Sequence, residues 1–190
     1  YDDGTFKPEN DLLRSEAAAL LYRVLGIDEP AAPEADPFTD VDAGSWYAGY
    51  IAYLESIDVV TGNPDGTYQP AETINRAEFL TLALNTYYYL GDETLQEAID
   101  TAKAAADGTE FADVDGKAWF VEVAGAAKEL GFVQGYSCGE NKCFNADNNI
   151  TRAEATTILY NMFSDMLMPA ESTEAVESTE VVDSTEAVVE

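Results

Sequence analysis

Three of the four arginines in this 190-residue chain stand at one recurring place. Arg14, Arg76 and Arg152 each follow an aromatic residue (Phe6, Tyr68, Phe144) by eight positions. Around them the chain reads Leu12-Leu13-Arg14-Ser15-Glu16, then Ile74-Asn75-Arg76-Ala77-Glu78, then Ile150-Thr151-Arg152-Ala153-Glu154. A guanidinium is planar, always charged and carries a fork of donors, so a repeated arginine is chemistry for holding an anion. The competing use is an ion pair with a local acid, either the glutamate two positions on or an aspartate of a neighbouring unit. Acids are abundant: 37 Asp and Glu stand against 9 Lys and Arg, a formal charge of −28, and there is no histidine.

Those counts exclude whole classes. So acidic a chain is repelled by phosphate backbones. Without histidine there is no histidine base, no Ser-His-Asp triad and no His-bearing zinc site. No nucleophile–base pair and no cofactor loop is present, so neither an enzyme nor a cofactor is expected. Asp65-Gly66 and Asp147-Asn148-Asn149 resemble calcium ligands in type, but the twelve-residue EF-hand spacing is absent and turn chemistry accounts for both; no metal is expected. The longest apolar runs fall far short of the roughly 20 residues that span a bilayer.

The elements that must position the arginines are legible as a repeat. Asp3-Gly4-Thr5-Phe6-Lys7-Pro8 is echoed by Asp65-Gly66-Thr67-Tyr68-Gln69-Pro70. Phe38-Thr39-Asp40-Val41 matches Phe111-Ala112-Asp113-Val114. Trp46 and Trp119 follow those phenylalanines by eight, and Gly62 and Gly135 follow the tryptophans by sixteen. Each full unit reads as helix, loop, helix. The first helix spans Trp46 to about Ile57 in one copy and Trp119 to about Leu130 in the other. The second opens on an N-cap, Asn75 or Thr151, with Glu78 or Glu154 three residues on to complete a capping box. Ile74 with Phe79, and Ile150 with Ala155, occupy staple positions. Leu13 stands where the first copy needs a cap, so that helix start is weaker. Leu95, Ile99, Ala102 and Ala106 share one helical face and predict a connector helix within 92–108.

This combination of motifs resembles the S-layer homology (SLH) domain. The match covers Tyr1 to about Leu25, Asp36 to Leu90 and Thr109 to Asp165. The resemblance implies an all-α fold, with helix-loop-helix repeats packed as a pseudo-threefold bundle. It implies grooves between repeats that bind secondary cell-wall polysaccharide, often through a pyruvylated amino sugar, and so anchor exported proteins to the cell envelope. Carried over by position, the glycan-binding residues are Arg14, Arg76, Arg152, Asp40, Asp113, Trp46, Trp119, Gly62 and Gly135. Trp46 and Trp119 are expected in the core with one exposed edge, from which an indole can also stack on a sugar ring. In this context, an oxidising location and a disulfide between Cys138 and Cys143 are expected. Two such ligands do not make a metal site.

The chain departs from the family pattern in its first unit, which lacks the leading helix, aspartate and tryptophan. The third loop is longer and carries both cysteines in place of Asp-Gly-Thr. At most two grooves are therefore complete. The expected division is a partial repeat at 1–29, a linker at 30–37, a repeat at 38–91, a connector at 92–108, a repeat at 109–168 and a disordered acidic tail at 169–190. The expected function is non-enzymatic anchoring at the cell surface, with cell-wall polysaccharide as partner, no nucleic acid and no membrane span. The alternative is a structural subunit that assembles with copies of itself in a surface layer or filament.

Overall fold

The computed structural model describes residues 3–91 and 93–167. The expected disordered tail lies outside the described residues. Among them the chain forms six α-helices and one hairpin: α1 (Arg14–Val24), α2 (Ala48–Ser56), α3 (Arg76–Leu90), α4 (Glu93–Ala105), α5 (Val121–Glu129), β1 (Tyr136–Cys138), β2 (Asn141–Cys143) and α6 (Arg152–Leu167). The fold is all-α apart from this antiparallel pair, whose register sets Tyr136 opposite Cys143. The disulfide between Cys138 and Cys143 closes the hairpin.

The helices α1, α3 and α6 each begin at a repeat arginine and meet about a pseudo-threefold axis. The extended residues just before them form a closed ring of backbone hydrogen bonds. Leu12 N–H donates to Ile150 O at 2.9 Å, Ile74 N–H to Leu12 O at 3.0 Å, and Ile150 N–H to Ile74 O at 3.1 Å. All three side chains are fully buried. A helix start leaves its first N–H groups without intrahelical partners. Here the loop of the next repeat supplies the acceptors. Arg14 N–H donates to Glu72 O, Arg76 N–H to Asn148 O and Arg152 N–H to Asn10 O, all at 2.9 Å. The following residues, Ser15, Ala77 and Ala153, donate to Pro70 O, Ala146 O and Pro8 O. Each helix start is therefore seated in its neighbour's loop.

The leading helices α2 and α5 cross from one repeat to the one before. Helix α2 packs on α1, where Tyr22 meets the rings of Tyr50 and Tyr53 edge-on at 5.2 and 5.1 Å. Helix α5 packs on α3 and on the connector α4, which buries Ile99 and Ala102. Tyr87 of α3 meets Phe132 and Phe163 edge-on and ties the last repeat to the core.

Both leading helices start two residues later than the sequence predicts. Trp46 and Trp119 stand in the turn ahead of the helix, and their expected burial is corrected: they are 61% and 65% exposed. The inward position passes to the next residue. Tyr47 and Phe120 are the rings packed against the core, and each tryptophan lies edge-on against its neighbour at 5.4 Å.

Candidate functional site

The repeat aspartates hold the loops. Both carboxylate oxygens of Asp40 accept backbone N–H groups, from Tyr68 at 2.7 Å and Gln69 at 2.8 Å. Asp113 does the same for Phe144 and Asn145 at 2.7 and 2.8 Å. The paired glycines serve the same loops. Gly62 and Gly135 have φ of +65° and +68°. A Cβ there would fall 2.3 Å from the Phe38 ring and 2.5 Å from the Phe111 ring. Aspartate and glycine thus press one loop onto the phenylalanine that opens each repeat, which fixes the aromatic residue ahead of it.

That aromatic residue is the platform for an arginine of the preceding repeat. Arg14 lies over Tyr68 at 4.9 Å, Arg152 over Phe6 at 5.0 Å, and Arg76 over Phe144 at 5.4 Å and Tyr136 at 4.8 Å. Burial pushes the Tyr68 hydroxyl up to about 12, against the opposing pull of Arg14, so this ring stays neutral. The arginine Nε donates to the backbone carbonyl of the platform residue, Tyr68 O for Arg14 and Phe6 O for Arg152, both at 2.8 Å.

Among the described residues the ion pairs of Arg14 and Arg152 are not with the glutamate two residues on. They are with the capping glutamate of the neighbouring repeat. Glu78 accepts the Asn75 N–H at 3.1 Å while Asn75 Oδ1 accepts the Glu78 N–H at 2.8 Å. Glu154 and Thr151 make the corresponding pair at 2.9 and 3.3 Å. Glu16 accepts the Leu13 N–H at 3.1 Å, although Leu13 has no side-chain oxygen to return the bond. The same carboxylates then reach across. Arg14 pairs with Glu78 at 3.5 Å and Arg152 with Glu16 at 3.3 Å.

Arg76 breaks the pattern. It is only 7% exposed, and its Nε has no partner among the described residues. Its Nη1 donates to the Tyr136 hydroxyl at 2.9 Å. That hydroxyl donates in turn to Glu154, so among the described residues the phenol takes the place of a direct ion pair between this carboxylate and Arg76. Burial drives the Tyr136 hydroxyl up to about 12, and its bond to Glu154 adds to this, so it stays a neutral donor. Burial pushes Glu154 up, but the bonds from Tyr136 and Thr151 and the Arg76 charge outweigh it and leave the carboxyl below its ordinary value. A buried cation without a direct carboxylate is costly unless a ligand completes it.

Two grooves run beside these arginines. The α1/α3 groove, about 240 Å³, is lined by Arg14, Gly62, Asn63, Tyr68, Glu78 and Trp119. The α3/α6 groove, about 480 Å³, is lined by Arg76, Gln134, Tyr136, Glu154, Thr157 and Asn161. The first brings together residues of all three repeats. The second has no tryptophan in its lining. Trp46 packs against Tyr47 and Tyr50. Sequence reasoning missed Tyr136 and the aromatic platforms. Signals existed: the platforms set the eight-residue spacing, and Tyr136 follows Gly135 as Asn63 follows Gly62. Among the described residues no cluster fit to hold a metal is present, and no helix is long and apolar enough to cross a membrane.

Comparison with known proteins places these repeats. The S-layer homology domain family matches residues 37–80 and 110–156. The chain is 32% identical over 160 residues to cell surface glycoprotein 1 of Acetivibrio thermocellus, covering 84% of this chain and 7% of that protein. It is 30% identical to the cellulosome-anchoring protein of the same organism, covering 84% and 33%. It is 28% identical to the S-layer protein sap of Bacillus anthracis, covering 92% and 20%. An amylopullulanase of Thermoanaerobacterium thermosulfurigenes shares the similarity over 8% of its own length. The chain spans a third or less of the length of these relatives.

Proposed function

The chain belongs to the S-layer homology family through residues 37–80 and 110–156, and from that premise we propose that its grooves bind an acidic, carboxylate-bearing cell-wall polysaccharide. Its location is the cell surface, in association with the wall, and its role there is anchoring. The observation that carries the ligand class is Arg76. A largely buried guanidinium with no direct carboxylate partner among the described residues lines the larger groove. A sugar carboxylate, such as a pyruvyl ketal, supplies the opposite charge that this cation lacks. Arg14 and Arg152 offer secondary sites, in which the ligand must exchange with Glu78 or Glu16. Trp119, open to solvent in the α1/α3 groove, stacks on the apolar face of a sugar ring. Asp40, Asp113, Gly62 and Gly135 act through the loops they shape. The segment works as an anchor.

Equilibrium binding of purified, pyruvylated wall polysaccharide tests this. Arg76→Ala is expected to weaken binding at least tenfold, and Arg76→Ala with Arg152→Ala to abolish it. Wild-type affinity in the double variant, with its helical circular dichroism intact, ends the proposal.

One observation favours a second reading, self-assembly. The residue eight positions after each repeat arginine is buried under a leading helix in α1 (Tyr22, 3% exposed) and α3 (Leu84, 0%). Its counterpart on α6, Tyr160, is 64% exposed. A leading helix from a second copy would cover this face as α2 covers α1.

A further inference from the structure

The α1/α3 and α3/α6 grooves share a frame but not a charge state. In the first, Asn63 turns away to donate to Thr67 Oγ1 at 3.0 Å, and Glu78 closes directly on Arg14. In the second, the residue in the Asn63 place is Tyr136, the first residue of β1. Its hydroxyl takes up Glu154, and no direct ion pair forms between Glu154 and Arg76 among the described residues. The hairpin holds the phenol there. Tyr136 pairs with Cys143, the disulfide joins Cys143 to Cys138, and the Ala112 N–H donates to Lys142 O at 2.8 Å, so β2 is bound to the Phe111-Ala112-Asp113 loop.

We propose that Tyr136 is a positioning residue that makes the α3/α6 groove the anion-selective one, by engaging Glu154 and so withholding that carboxylate from Arg76. The inference rests on the reading that this groove takes a sugar carboxylate. A phenol donates one proton and brings no charge, so it satisfies Glu154 without neutralising the guanidinium. The same atom marks the difference: Nη1 meets a glutamate in Arg14 and Arg152, but in Arg76 it donates to the Tyr136 hydroxyl, while ring contacts hold the cation in place. Without the hydroxyl, Glu154 would be drawn onto Arg76 in the geometry that Glu78 and Arg14 already show, and an incoming anion would have to compete with it.

The test is a binding cycle on the full chain, with a synthetic disaccharide carrying a pyruvyl ketal on an N-acetylhexosamine as the probe and calorimetry as the readout. Tyr136→Phe keeps the ring and removes the hydroxyl, and is expected to weaken binding at least tenfold. Adding Glu154→Gln removes the competing charge, and the double variant is expected to recover to within about threefold of wild type. Thermal melts of all variants monitor folding. Loss in Tyr136→Phe without rescue overturns the proposal, because the hydroxyl then acts on the ligand directly. Unchanged or tighter binding in Tyr136→Phe overturns it as well, while leaving the proposed ligand class standing. A wild-type protein that does not bind the probe overturns both.

Discussion

At the scale of single residues, each repeated side chain holds a neighbour's loop as well as its own helix. The capping glutamates are the clearest case. A capping box alone explains Glu78 and Glu154 from local sequence, yet each also serves an arginine of the repeat before it, Glu154 through Tyr136. The glycines make a sharper test, because the loop of the third repeat holds two with near-identical φ. Gly135 and Gly139 have φ of +68° and +69°, but only Gly135 faces an obstacle, the Phe111 ring and Cys143 O. Gly139→Ala should cost only the left-handed backbone penalty, about 1 kcal/mol. Gly135→Ala adds overpacking and should cost roughly 2 to 4 kcal/mol. Urea unfolding of the two variants measures the difference. Equal losses would mean that the loop is not pressed onto Phe111 as described.

At the scale of elements, the hairpin is what sets the third repeat apart. In the second repeat a four-residue Asp-Gly turn does the same joining work, with the Asp65 carboxylate accepting from the Thr67 backbone and hydroxyl. The third repeat replaces it with two short strands, and a two-stranded ribbon is marginal by itself in water. The disulfide closes a loop of sequence separation 5. Closing so short a loop stabilises by about 2 kcal/mol through the unfolded chain. Reduction is therefore expected to lower the thermal midpoint by several degrees, which differential scanning calorimetry of oxidised and reduced protein reads directly. An unchanged midpoint would show that the bonds to Asp113 and Lys142 already hold the hairpin. The leading helices carry a second lesson. Their length and apolar content are legible in the sequence, but their start is not. The turn that precedes them places Tyr47 and Phe120 inward and leaves the tryptophans outside.

At the scale of the whole molecule, the ring of Leu12, Ile74 and Ile150 makes the three helix starts interdependent. It leaves no strand edge at the axis, and it ties Arg152 to Phe6 across 146 positions of sequence. Among the described residues no leading helix covers α6 as α2 and α5 cover α1 and α3. If a second copy supplies that cover, sedimentation velocity should show mass rising with concentration, and Tyr160→Glu should hold the protein monomeric. A concentration-independent monomer from the start would dismiss self-assembly. The charge of −28 acts at this scale too. It disfavours the long-range approach of an acidic polymer, although salt screens it beyond about 10 Å. Binding therefore depends on short-range contacts at a few guanidiniums.

The sequence by itself determined the repeats, the helices, the caps and the three arginines, because these rest on interactions within a few residues and on spacing that recurs. It also displayed both cysteines in one inserted loop. Only the tertiary structure decided which acid meets which arginine. The repeats close in a cycle, so Arg14 meets Glu78 while Arg152 returns to Glu16, and no local pattern encodes a pairing between units. The fold likewise decided that the tryptophans face water and that Tyr136 comes between Arg76 and Glu154. Both depend on where a turn aims a side chain after distant segments have packed. Spacing along the chain does not contain that direction, and it is what separates one groove from the other.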